Sequence, residues 1–321
     1  MKTYKKELLN INNIISELIN ENIKSESLKE IINYALYGGK RLRSILAVII
    51  GKAINNKINL DKLAISIELF HNSSLIIDDL PCMDNDLVRR GRPTLHAKYG
   101  QTKSQLIVSY LLATAYNLIK ENLDEIREKE YYELEYLEKI SIFILKNINN
   151  NLGFLGAAGG QFIDTCPINT FIDKKDYINN YKDLDNILTL IHLKTTTFFE
   201  ISFVSSYLLA GGDLNNIDKV KKCVKYFGLA FQISDDFDDI EQDSKRVYDN
   251  KFNPNLICRY GKEKTLEIFN KAIAIFLKLS KELKIYNEIF DELIDFLKQR
   301  INKKTNTIKE KTDTIKEKTD T

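Results

Sequence analysis

The chain has 321 residues, with 47 Lys and Arg against 45 Asp and Glu and a formal net charge of +2. A composition that is 44% hydrophobic and 29% charged is that of a globular protein and excludes a wholly disordered chain; the near-balanced charge gives no electrostatic reason to expect nucleic acid as a partner. Only four prolines and 13 glycines punctuate it, too few for the turns of a sandwich, a barrel or a parallel α/β fold.

Met1 to Leu8 carries lysines but leads into an amphipathic pattern rather than a signal-peptide core. Ile11, Ile14, Ile15, Leu18 and Ile19 recur at i, i+3, i+4, i+7 and i+8, one face of a helix. Leu60, Leu63, Ile67 and Phe70 repeat that spacing towards Asp78, and residues 131–147 and 266–297 are helix-periodic too. With no alternating strand and no Gly-rich phosphate loop, the expected fold class is all-α. No apolar run approaches the roughly 18–20 residues that cross a bilayer, so an integral membrane protein is not expected. Cys82, Cys166, Cys223 and Cys258 form no C-x-x-C pair and read as reduced thiols, which makes the cytoplasm the expected location. No linker divides residues 1–302, the expected single domain. From 303 to 321 the composition shifts, and Thr-Ile-Lys-Glu-Lys-Thr-Asp stands at 307–313 and again at 314–320. One apolar residue in seven cannot form a coiled-coil seam, so this tail is expected to be disordered.

Chemistry concentrates first between Glu68 and His96. His71, Ser74 and Asp78 fall at i, i+3 and i+7 of the helix predicted there and share a face. Asp78 and Asp79 then meet Pro81, which cannot continue the helix and must distort or end it. A break there can swing Asp84 back towards Asp78, with Arg89 and Arg90 following at once.

The second concentration is Phe231 to Asp239. Gln232, Asp235, Asp236 and Asp239 occupy i, i+3, i+4 and i+7 of one stripe. Such carboxylates repel unless protons or cations compensate them, and all-oxygen clusters suit Mg²⁺, which keeps waters and completes its shell with substrate phosphates. Each cluster can equally be a solvated helix face, although each grows from an apolar stretch at a core edge.

Three further segments suit an anionic, apolar ligand. Gly38-Gly39-Lys40-Arg41-Leu42-Arg43 puts Lys40 and Arg43 three apart, able to face one anion. Lys194-Thr195 supplies an ammonium and a hydroxyl within an apolar helix, where an unpaired charge is costly unless it snorkels. Gly153, Gly156, Ala157, Ala158, Gly159 and Gly160 lead to Gln161 and Asp164, making a small-residue wall for either a neighbouring helix or a ligand tail. Together these segments describe metal-bridged diphosphate at the mouth of a cavity with an apolar tail inside.

With these motifs in view, residues 30 to 300 resemble the trans-isoprenyl diphosphate synthases (polyprenyl synthetases), the geranylgeranyl diphosphate synthases most of all. The motifs are G-G-K-R-L-R at 38–43, D-D-L-P-C-M-D at 78–84, R-R-G-R-P-T at 89–94, G-Q-x-x-D at 160–164, K-T at 194–195 and F-Q-x-x-D-D-x-x-D at 231–239. The resemblance implies an isoprenoid-synthase helical bundle around a central cavity, a homodimer, and three Mg²⁺ ions per active site. It implies head-to-tail condensation: an allylic diphosphate ionises, the cation alkylates the double bond of isopentenyl diphosphate, and departing diphosphate accepts the proton.

By the same resemblance, Asp78, Asp79 and Asp84 match metal ligands of the first motif, and Asp235, Asp236 and Asp239 those of the second. Arg89, Gln161, Asp164, Lys194, Thr195, Gln232 and Lys251 match positions around the allylic diphosphate; Lys40, Arg43, His71 and Arg90 match those around isopentenyl diphosphate. Asp78, Asp79, Asp84, Lys194 and Asp235 are the expected catalytic set. The departures are Ser44 for a usual proline, Ile77 for a frequent histidine, Leu87 for a frequent aspartate, and a short loop after Asp239.

Phe70, Ser73 and Ser74 are the expected chain-length positions. Ser73, five residues before Asp78, stands where a bulky aromatic stops growth early in family members; Phe70 lies deeper, roughly 12 Å from Asp78 at 1.5 Å per residue. This favours the C20 product, geranylgeranyl diphosphate. A C15 farnesyl diphosphate synthase, a terpene cyclase and a non-catalytic regulatory subunit are the competing readings. A cyclase usually lacks the G-G-K-R and R-R-G segments, and a subunit of that kind can lose the aspartates present here.

Overall fold

The computed structural model describes the backbone of residues 2–165, 184–248 and 255–319, and side chains there except at 2, 163–165, 185–186, 241–248 and 305–319. In chain order come α1 (Lys2–Asn22), α2 (Glu26–Leu36), α3 (Leu42–Ile54) and α4 (Asp61–Asp78). A hairpin of β1 (Val88–Arg89) and β2 (Arg92–Pro93) is followed by α5 (Leu95–Tyr99), α6 (Gln101–Glu128), α7 (Leu134–Leu152) and α8 (Ala157–Thr165). Then come α9 (Leu184–Ile191), a π-helical turn (His192–Thr196), α10 (Thr197–Leu209), α11 (Ile217–Tyr248), α12 (Leu256–Glu282) and α13 (Glu288–Thr319). The expected all-α class is what the described residues show. The exception is the two-residue hairpin, which carries no alternating pattern for a sequence reading to detect.

Contacts divide the chain into two compact units, Lys2–Leu152 with Phe198–Ile217, and Gly153–Thr197 with Asp218–Thr321. Their segments interleave along the chain, so no linker composition marks them. In the first unit, α4 packs on α6 and α3, and touches α1 and α2. Leu63, Ala64, Ile65, Ile67, Leu69 and Phe70 are all buried, so α4 is enclosed on every side rather than along a single stripe. α1 instead buries Ile11, Ile15 and Ile19, the face that the sequence spacing predicts. Each large aliphatic or aromatic side chain enclosed in this way contributes about 1.5–3 kcal/mol.

Glu68 lies within that core. Arg41 Nη1 meets its Oε1 at 2.8 Å, and Ser44 Oγ and Asn72 Nδ2 donate to it at 3.1 and 2.8 Å. Arg41 also donates to Asn12 Oδ1 at 3.1 Å and to the Leu36 carbonyl, so both charges of the pair are wrapped in hydrogen bonds. Burial alone raises a carboxyl, but the Arg41 guanidinium and these donors hold Glu68 down at about 2.

In the second unit, Phe227, Phe276 and Phe290 meet tilted and edge-on, with centroids 5.0–6.2 Å apart, and join α11, α12 and α13. One helical stretch, Ile187–Leu209, is long and apolar enough to cross a membrane by length and composition, where no such run is expected from the sequence. It is 67% buried within the protein, the character of a core helix. α13 runs on to Thr319.

Candidate functional site

The end of α4 sets the first aspartate cluster. Pro81 stops the helix, Met83 N–H bonds the Leu80 carbonyl at 2.8 Å, and Asp84 N–H bonds the Asp78 carbonyl at 2.9 Å. The break therefore returns Asp84 to the helix end, as expected from Pro81. Asp78 is half-buried and Asp84 exposed, so both carboxylates stand at the surface of one turn. Asp79 does something else. Its two oxygens accept from Arg89 Nε at 2.7 and 2.9 Å, and Arg89 Nη2 lies 2.6 Å from Oδ1. Asp79 is 4% exposed and committed to orienting Arg89.

R-R-G is built as a tight hairpin. Arg90 and Gly91, at φ 54° and 72°, are its central residues, the left-handed pair that a two-residue turn of this twist requires. The turn points Arg90 at the G-G-K-R segment: Arg90 Nη1 donates to the Tyr37 carbonyl at 3.0 Å. A side chain at Gly38, itself at φ 75°, would stand 3.7 Å from Arg90 Cδ. Arg92 stacks between Tyr34 and Tyr37 at 4.1 and 4.2 Å. A shallow cleft is lined here by residues that include Tyr37, Asn72, Asp79, Arg89, Arg90 and Arg92.

Arg43 and His71 form the neighbouring contact. Arg43 Nη1 lies 3.2 Å from His71 Nε2, and the guanidinium sits 4.6 Å over the Phe199 ring. Burial and the adjacent Arg43, Arg90 and Arg89 charges push the His71 imidazole down to about 3, so it is neutral at physiological pH. Among the described residues, His71 Nδ1 is buried with no hydrogen-bond partner, an opening for a polar ligand atom. Lys40 is exposed beside this pair along the chain, and the backbone carbonyl of Lys40 accepts from Tyr4 Oη.

Of the chain-length positions, Ser73 is buried and turns its hydroxyl to the Leu69 carbonyl at 2.8 Å, so it presents little bulk. Phe70 is buried edge-on against Tyr116 of α6, centroids 5.1 Å apart. Ser74 is half-buried and donates to the His71 carbonyl at 2.9 Å.

In the second unit Lys194-Thr195 occupies the π-helical turn, a distortion that re-aims side chains and recurs at functional sites. Lys194 reaches the surface, in keeping with the cost of burying an ammonium. Thr195 Oγ1 donates to Gln232 Oε1 at 2.6 Å, Gln232 Nε2 donates to Asp236 Oδ1 at 2.9 Å, and Leu256 N–H donates to Asp236 Oδ2 at 2.9 Å. Asp236 is therefore buried and tied to the start of α12. The small-residue wall has a packing reason at Gly160, where a Cβ would come within 3.1 Å of Leu193 and 3.2 Å of Lys194. Gly228 likewise leaves room for Thr196, 2.4 Å from where a Cβ would stand.

Asp235 meets a residue absent from the sequence reading. Arg300 of α13 places Nη1 2.6 Å from Asp235 Oδ1, and its Nε donates to Asp238 Oδ2 at 2.6 Å while Nη2 contacts the same oxygen. Neither Asp238 nor Arg300 belongs to the stripe that drew attention to this helix, and their separation in the chain leaves no local signal. Asp239 is exposed and Gln161 half-buried. The side chain of Asp164, and Lys251 altogether, lie outside the described residues.

The carboxylates fit Mg²⁺ of the kind that relies on its substrate. Among the described residues no three His, Cys, Asp or Glu side chains gather into a metal cage. Mg²⁺ needs none, because one or two carboxylates, waters and substrate phosphates fill its octahedron. Asp78 with Asp84, and Asp235 in the second unit, supply hard oxygen donors of that sort.

Comparison with known proteins gives the following. Residues 25–251 match the family described as Polyprenyl synthetase. The chain is 27% identical over 301 residues to the trans-prenyltransferase of African swine fever virus (isolate Pig/Kenya/KEN-50/1950), covering 91% of this chain and 82% of the relative. It is 31% identical over 228 residues to the chloroplastic geranylgeranyl pyrophosphate synthase 9 of Arabidopsis thaliana, covering 70% of this chain and 59% of that one. The fold is similar to the crystal structure of a geranyltransferase from Legionella pneumophila, with a TM-score of 0.72 and 23% identity over 94% of this chain and 96% of the other.

Proposed function

Because this chain belongs to the polyprenyl synthetase family, we propose that it is a Mg²⁺-dependent prenyltransferase that extends allylic diphosphates with isopentenyl diphosphate to the C20 product, geranylgeranyl diphosphate. The observation that carries the reading is the arrangement along α4: Asp78 and Asp84 leave one turn at its end, and His71 lies against Arg43 two turns earlier. A metal site and an anion site on one rigid helix are what joining two diphosphates requires. The C20 length is supported by the small, inward Ser73 and by the plant relative's printed activity.

In this reading Lys40, Arg43, His71 and Arg90 hold isopentenyl diphosphate. Arg43 is pre-oriented by the Phe199 ring, and neutral His71 contributes a hydrogen bond rather than a charge. Arg89 in the first unit, and Lys194, Thr195, Gln232 and Gln161 in the second, are assigned to the allylic diphosphate by their match to the family's motifs, as are Asp164 and Lys251 from sequence alone. Asp79 fixes the Nε–Nη2 edge of Arg89, which leaves its other edge for phosphate oxygen. Gln232 has its amide oriented by Thr195 and Asp236. Asp78 and Asp84 in the first unit, and Asp235 in the second, would each offer carboxylate oxygens to Mg²⁺, which supplies charge neutralisation for the departing diphosphate. As the allylic C–O bond breaks, the double bond of isopentenyl diphosphate forms the new C–C bond. A proton then leaves to diphosphate, so no protein nucleophile is needed. Apolar α4 side chains keep water from the cation.

A homodimer in the cytoplasm belongs to the same proposal. Exposed apolar side chains on α6 and α7, including Leu106, Ile142 and Leu145, support the dimer, and sedimentation velocity checks it. The function itself is tested by Asp78→Ala and Asp235→Ala. Each is expected to lose most turnover while its far-ultraviolet circular dichroism stays that of the parent. Parent-like turnover in both would overturn the reading.

A further inference from the structure

We propose that Arg300 is a resident counter-cation of the second aspartate cluster, which holds Asp235 in the metal-free protein and competes with a divalent cation for it. The proposal rests on the reading of Asp235 as a metal ligand. Its starting point is electrostatic. Asp235 and Asp238 lie three apart on α11, where like charges repel, and their side chains are 30% and 31% exposed. Arg300 is deeper, at 15%, so its guanidinium lies beneath the carboxylates rather than out in solvent.

α13 is placed to deliver it. Ser234 Oγ donates to the Leu297 carbonyl at 3.3 Å, which docks the helices one residue before Asp235 and one turn before Arg300. Phe296 backs the guanidinium at 5.6 Å. The fork is shared unequally. Nε and Nη2 both go to Asp238 Oδ2, whereas Nη1 alone reaches Asp235, at 2.6 Å. Asp238 is thus the anchor of Arg300, and Asp235 is its more readily surrendered partner. An incoming dication can take Asp235 while Arg300 stays on Asp238, at the cost of one charge-assisted hydrogen bond and of cation–cation repulsion. Arg300 is a positioning residue in this scheme: it orients Asp235 beforehand and sets how tightly the cluster takes metal.

The test uses the full chain with Mn²⁺ alone as the probe, free Mn²⁺ being counted by electron paramagnetic resonance. An Asp78→Ala background makes the second cluster dominate binding. Arg300→Gln removes the competing charge, and Arg300→Lys keeps a charge that cannot fork across two carboxylates. Mn²⁺ binding is expected to tighten about three- to tenfold in Arg300→Gln and by less in Arg300→Lys, with the gap narrowing at high salt. Arg300→Gln is also expected to melt a few degrees lower without metal and to recover more than the parent when Mn²⁺ is added. If it does not fold, Arg300→Lys still carries the comparison. Equal or weaker Mn²⁺ binding in the folded variants overturns the proposal. Asp235→Asn separates the two levels: if it leaves Mn²⁺ binding unchanged, the ligand reading fails as well, whereas weakened binding there with no tightening in the Arg300 variants leaves that reading standing.

Discussion

The backbone N–H of Asp84 donates to the carbonyl of Asp78 at 2.9 Å, so two carboxylates six residues apart leave from a single turn. Pro81 enforces this by ending α4, and an uninterrupted helix would carry Asp84 to another face. Pro81→Ala is therefore expected to lower kcat about 10- to 100-fold, the scale set by misplacing a reacting constellation, with the melting temperature little changed. Steady-state kinetics with an allylic primer checks it, and a parent-like kcat would mean that the turn does not depend on Pro81.

The Arg41–Glu68 pair makes a stability prediction. Both side chains are buried, and Asn12, Ser44, Asn72 and the Leu36 carbonyl add hydrogen bonds to the pair. Removing one partner leaves the other charge buried and unpaired. Glu68→Ala or Arg41→Ala alone should each cost about 3–5 kcal/mol, and the double variant less than their sum. Urea unfolding of the three variants measures the coupling; strict additivity would contradict it.

Acid should destabilise the fold in two steps. His71 is held down to about 3 from its usual 6.5, so the unfolded chain binds the extra proton first and stability falls as pH drops from 6.5 towards 3. Glu68, held at about 2 against 4.5, adds the same sign of loss between 4.5 and 2. His71→Gln is expected to remove the upper step, flattening the loss between pH 7 and 5 by about 1–2 kcal/mol. Thermal melts across that range check it, and a parent-like slope in the variant would show that another group titrates there.

Product length should respond to the two faces of α4 near Phe70. Ser73 is buried and small, and Phe70 is braced by Tyr116 at 5.1 Å. Ser73→Phe is expected to shift the main product from C20 to C15, and Phe70→Ala to allow chains beyond C20. Reverse-phase chromatography of dephosphorylated products reads both, and an unchanged product spectrum in both would remove α4 as the floor.

The helices were legible because Ile11, Ile15 and Ile19 state their buried face by spacing alone, and Pro81 announced a break whose effect on Asp84 follows from backbone chemistry. What a helical wheel does not carry is occupancy. It puts Asp79 and Asp236 among equivalent carboxylates, yet tertiary contacts commit the one to Arg89 and the other to Gln232 and the start of α12. Arg300 was invisible for a related reason, since its partners lie 62 and 65 residues away on another helix. Glu68 did leave a signal, being a lone carboxylate among Leu63, Ile65, Ile67 and Phe70; a buried charge demands a partner, and Arg41 is that partner.

The most direct test of the central claim is a single assay of the purified chain with Mg²⁺, labelled isopentenyl diphosphate and an allylic diphosphate primer, products being resolved by length. The account predicts label in prenyl chains ending mainly at C20, abolished by chelating the metal. Absence of labelled prenyl product with every allylic primer, in the presence of Mg²⁺ and with the chain folded, would contradict it.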